Sequence, residues 1–348
     1  MGEPGNGQQP HGVDLEAGDA GSAVMHPDHL PTPDRAQRTS DLLVRIALFP
    51  LLRLVWTLML FGGVFWALSR FAPAIQRLPN VSIGGAVRNA LVALGVLWGT
   101  VRALEGKTLG QAVGLTARRA PAGLSAGFAL GLGLLSLAIG TLALAGAYRV
   151  DGLGSGASLE AVVHATLLFA LVAVFEEVVA RGILFRLLEQ GLGTWVALAI
   201  SALLFGFSHR GNPGATTLSS VAIALEAGML LGAAYVATRS LWLPIGMHTA
   251  WNLFEGPVYG AAVSGNDLPS VLHARFPGPD WLTGGAFGPE AGVPTLVLGT
   301  ALGVAFLVVA VRRGQVFTPR WLLRLLGRAP PQSPPALQAP APGSGALA

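Results

Sequence analysis

The sequence predicts an all-α fold, a polytopic transmembrane bundle of about eight membrane helices, and three observations carry that prediction. Of 348 residues, 52% are hydrophobic and only 11% are charged, whereas a soluble domain carries about a quarter charged residues. The apolar residues gather into runs near the roughly 20 residues that a helix needs to cross a hydrocarbon core about 30 Å thick. The basic residues, net charge +4, lie between those runs and form no patch, so the chain offers no nucleic-acid surface.

Taken in order, residues 1–41 are rich in Gly, Pro, Asp and Gln. They lack the apolar core of a signal peptide and read as a disordered tail. Spans follow at 46–68, 86–103, 122–148, 158–190, 193–209, 215–237, 240–256 and 292–312, so that 42–328 forms the membrane bundle. The third span contains "AGFALGLGLLSLAIGTLALAGA", whose small residues suit close helix packing in lipid. The last segment, 329–348, is "APPQSPPALQAPAPGSGALA", a second disordered tail that cannot bury a core. With both termini in the cytoplasm, 16 of the 22 basic residues face inward, as the positive-inside rule requires.

The absence of cysteine removes disulfides, thiolate metal sites and a cysteine nucleophile together. What remains to be explained is a set of polar residues inside apolar segments, each costing roughly 2.5–3.5 kcal/mol if charged. They are Glu176, Glu177, Arg181, His209, Glu226, His248 and Asn252.

The stretch 173–185, "AVFEEVVARGILF", holds three of them. On a helix Glu177 and Arg181 are spaced i,i+4 and can pair, while Glu176 lies about 100° away. The arginine therefore neutralises Glu177 and leaves Glu176 as a free carboxylate, a candidate general base. Gly191 and Gly193 in "EQGLGTW" mark a helix break. Folding the chain there returns His209 to about the depth of Glu176. His248 and Asn252, again i,i+4, share a face and could donate to an oxyanion. Glu226 has no partner in sequence and reads as a helix-packing acid or a group facing substrate. Arg186 and Glu189 read as interfacial charges at the helix end.

Three ordered motifs now stand out: EExxxR (Glu176, Glu177, Arg181), FxxxH (Phe205, His209) and HxxxN (His248, Asn252). In this order they resemble the CPBP, or ABI, family of membrane proteins, which includes type II CAAX prenyl endopeptidases and bacteriocin-processing or immunity proteins. The resemblance covers about 120–256, the catalytic core of the expected bundle, and departs at Ala180, where the family usually has a bulky aromatic. It implies an intramembrane endopeptidase of eight helices without metal or other cofactor. In that scheme Glu176 and His209 activate a water, His248 and Asn252 stabilise the oxyanion, and Glu177 and Arg181 hold the site. The implied partners are the lipid bilayer and a membrane-associated protein or leader-type peptide substrate. Heavy Arg, Ala and Gly usage points to a bacterial plasma membrane.

Two alternatives stand beside this reading. A zinc protease could draw ligands from the two His and two Glu, although no HExxH is present and Asn252 is a poor ligand. A non-proteolytic scaffold or bacteriocin-immunity protein of the same family would keep the motifs for packing alone. A serine nucleophile at Ser125 in "GLSAG" lacks the strand-to-helix turn that such a motif needs.

Overall fold

A computed structural model describes residues 1–2, 49–80 and 82–319, with 321, 323 and 327. Apart from Met1 and Gly2, the expected tails at 1–41 and 329–348 lie almost wholly outside the described residues. Helix α1, Pro50–Phe71, starts on a proline whose missing N–H would be unpaired there anyway. Helix α2, Ile83–Glu105, is capped by Ser82, whose hydroxyl accepts from the Gly85 amide, and stops at Gly106 with φ 65°. Only glycine adopts that left-handed conformation without steric cost. Helix α3 runs Ala120–Leu144.

Strand β1, Arg149–Leu153, pairs antiparallel with the later β2, Leu272–Arg275. An exposed Arg275–Asp151 ion pair joins the two. Helix α4, Leu159–Glu177, continues through a π-helical turn, Val178–Phe185, into α5, Arg186–Leu192. The break falls at Gly193, φ 87°, and α6 returns over Thr194–Ser208. Helix α7, Thr217–Ile223, passes through a second π turn, Ala224–Met229, into α8, Leu230–Thr238. Helix α9, Trp242–Leu253, runs into a third, Phe254–Val258. Helix α10 is Val293–Arg312.

The fold is thus a helical bundle, and six of its helical stretches are long and apolar enough to cross a bilayer. The two other expected spans, 193–209 and 240–256, correspond to α6 with 15 residues and to α9, whose 12 residues continue through the five of the π turn Phe254–Val258. Both are shorter than the roughly 20 residues of an ordinary membrane helix. Every residue of α9 from Leu243 to Leu253 is buried, so its hydrophobicity serves the interior of the bundle. The lipid-facing apolar surface lies elsewhere, for example at Trp56, Met59 and Trp66 of α1.

Arg186 and Glu189 also differ from expectation, being buried instead of interfacial. Arg186 makes a two-pronged bond to Glu105 at 2.7 and 2.9 Å. Glu189 receives Arg239 and the Thr194 hydroxyl. These long-range pairs tie α5 to α2 and to the end of α8.

Helix α9 is held against α3 by glycine. A Cβ on Gly127 would meet the Leu243 carbonyl oxygen, one on Gly131 the Met247 carbonyl oxygen, and one on Gly246 the Leu124 carbonyl oxygen. Backbone cannot yield as a flexible side chain can, so Gly127→Ala must push the helices apart. Overpacking of this kind costs about 1–3 kcal/mol. A lower melting temperature in detergent is the expected result; an unchanged one would show that the crossing is looser than this.

Candidate active site

The polar residues singled out in sequence converge on one cavity of about 950 Å³, whose wall includes Glu176, His209, Glu226, His248 and Asn252. Helix α4 brings Glu176 to its last turn and the hairpin at Gly193 returns α6, which ends just before His209. Helix α9, pinned by the glycine crossing, supplies His248 and Asn252 one turn apart.

Glu177 is fully buried and bonds Arg181 at 2.8 Å through Oε1, the pairing that their spacing predicts. The Arg181 guanidinium also donates to the carbonyls of Ala227 and Gly228 at 3.0 Å and lies 4.5 Å above the Phe205 ring, a cation–π arrangement. Here two of the π turns meet. One carries Arg181 and the next contains both carbonyls that it grips, and such turns frequently occur at functional sites.

The same Oε1 of Glu177 accepts a second bond, from His248 Nδ1 at 3.0 Å. That leaves His248 Nε2 directed toward Glu176, 3.7 Å from its Oε2, too far for a direct hydrogen bond. Sequence spacing pairs Glu176 with His209; in the structure the imidazole at ion-pair range of Glu176 is that of His248. His209 shares the cavity and bonds its own helix, Nδ1 to the Phe205 carbonyl at 2.9 Å. A carbonyl can only accept, so Nδ1 carries a proton, and in the neutral ring the lone pair falls on Nε2. Phe205 sits among these groups, 5.1 Å from the His209 ring and 6.2 Å from that of His248.

Glu176 is the least constrained member. Its side chain is 24% exposed, while its Oε2 is buried and has no hydrogen-bond partner. The donors of the zinc alternative are not gathered into one coordination shell: among the described residues, no three His, Asp or Glu side chains are grouped as a metal ion would require.

Residues 158–254 match the family model of Rce1-like type II CAAX prenyl endopeptidases. The matched segment runs from the cap of α4 to the end of α9 and contains all three motifs, which supports the CPBP family reading. The Rce1-like family is one of CAAX-type intramembrane endopeptidases, and the match together with six membrane-length helices identifies the chain as an integral membrane protein. No curated protein and no solved structure gives a significant match to the chain.

Two acids of the site region carry little sequence signal. Glu255 and Glu290 stand 29 and 64 residues from Glu226, yet both lie close enough to act on it or on each other electrostatically. Their burial, 0% and 5% exposed, is the property that marks them. The only hint in sequence is an acid beside the HxxxN motif.

Proposed function

We propose that the chain is an intramembrane endopeptidase in which Glu176 activates a water to cleave a peptide bond of a membrane-associated or leader-type substrate. One observation carries this reading: a carboxylate with an unpartnered oxygen lines a large cavity, beside an imidazole that a second carboxylate holds in place.

The chemistry follows from proton positions. A water between Glu176 and His209 gives one hydrogen bond to the carboxylate and the other to the His209 Nε2 lone pair. Glu176 takes the first proton as the water oxygen attacks the scissile carbonyl carbon. The C–N bond then breaks, and Glu176 returns that proton to the departing amine. General acid–base assistance of this kind contributes about 10²–10⁴ in rate.

His248 and Asn252 receive the oxyanion. Because His248 Nδ1 already donates to Glu177, donation from Nε2 requires the imidazolium form. Charge balance supports that form: Glu176, Glu177, Arg181 and a protonated His248 sum to zero. Preorganised donors in a poorly hydrated site stabilise developing charge well. Glu177 and Arg181 are positioning residues, since they reach the reaction through His248 and the π turns.

The bundle occupies 42–328 in this proposal, with both termini in the cytoplasm of a bacterium and the protein in its plasma membrane. Membrane proteomes of cells making the wild type and Glu176→Gln test it. Fragments cut near a membrane boundary are expected only with the wild type. Identical fragment sets from both would instead favour a scaffold or immunity role.

A further inference from the structure

One pole of the cavity is acidic and uncompensated. Glu226 and Glu290 line the same space as Glu176. Glu226 is 1% exposed, its Oε1 has no hydrogen-bond partner, and Gly299 of α10 presses against its backbone and Cβ. Behind it stands Glu255, whose two carboxylate oxygens have no hydrogen-bond partner among the described residues and which lies near enough to Glu290 for the two carboxyls to interact electrostatically. Glu290 is fixed through Oε2, which accepts from the Ser264 amide and hydroxyl at 3.1 and 2.7 Å.

No described cation serves this pole. The arginine in the cavity wall, Arg88, spends its guanidinium on Asn80, Asn89 and the carbonyls of Ile75, Gln76 and Leu78. His248 is occupied by the other two glutamates. A buried carboxyl without a countercharge is costly to ionise and holds its proton instead, and a cation entering from the cavity would supply the countercharge that lets it ionise. The three carboxyls are not grouped closely enough for a metal ion. A basic side chain suits the spacing better, because its donors spread over several ångströms and its stem packs on apolar wall.

We propose that Glu226 and Glu290 form a subsite for a lysine or arginine side chain of the peptide held at Glu176, an inference that rests on the proteolytic reading above. The acidic pole then selects which peptide bond is presented to the catalytic carboxylate.

The test uses the full chain in lipid vesicles and a library of apolar peptides carrying Lys, Arg, Gln or citrulline at each position, with products read by mass spectrometry. Cleavage is expected to favour the charged residues over their neutral counterparts by at least about tenfold at one fixed distance from the cut. Glu226→Gln and Glu290→Gln are each expected to bring that ratio toward one. The ratio is internal to each sample, so a general loss of activity cannot imitate its collapse. Indifference of the wild type to charge, or an unchanged ratio in both variants, overturns the subsite. Should the wild type cleave no peptide, the proteolytic reading has failed separately. The same library is then retained on the immobilised full chain: enrichment of Lys and Arg that both variants abolish supports the cation site, and its absence overturns it.

Discussion

Glu176→Gln is expected to lower kcat for peptide cleavage by about 10²–10⁴-fold, with the melting temperature and KM little changed. The structure gives the reason for the separation. The buried Oε2 of Glu176 has no hydrogen-bond partner, so the amide breaks no hydrogen bond there and gives up only the 3.7 Å approach to His248, and its shape preserves the cavity wall. What it removes is the ability to take a proton. Steady-state kinetics on a fluorogenic apolar peptide, alongside thermal unfolding in the same detergent, reads both quantities. A variant that retains more than about a tenth of wild-type kcat would remove Glu176 from the role of base, because an amide cannot supply such assistance.

Arg181→Met should have the opposite profile, a loss of about 3–5 kcal/mol of stability, as when one member of a buried ion pair is removed. Glu177 would remain with no exposure and, among the described residues, with His248 as its remaining ion-pair partner. The carbonyls of Ala227 and Gly228 would lose their donor, and Phe205 its cation. Activity falls as well, since the support of His248 is disturbed. Adding Glu177→Gln is expected to recover part of the stability, because it removes the stranded charge. The double-mutant cycle isolates that coupling. Strictly additive losses would mean that the two side chains do not form an energetic unit.

How far the sequence reveals this arrangement depends on the range of each interaction. The Glu177–Arg181 pair is one turn long, and the i,i+4 rule finds it. The hairpin is legible because glycine punctuates apolar helices, and the break falls at Gly193. The His248–Glu177 bond spans 71 residues, and no periodicity reports it. The same holds for Glu226, Glu255 and Glu290, which tertiary folding alone assembles. The π turns are also silent in sequence: an extra residue per turn leaves composition unchanged while rotating everything after it. Counting spans by apolarity cannot separate α9 from a lipid-facing helix for a related reason, since a helix enclosed by protein is as apolar as one facing lipid.

That enclosure bears on how the enzyme is made. A helix of 12 residues extended only by a π turn enters a bilayer less readily than its longer neighbours, and α9 carries His248 and Asn252 besides. Its place must be prepared by longer neighbours that insert first, above all α3 with its glycine seam. On the proposed reading, His248 and Asn252 would then arrive late in assembly, and a half-built bundle would hold Glu176 without its proposed oxyanion donors. If the proposed activity holds, biogenesis itself would keep the new protein silent until α9 is seated.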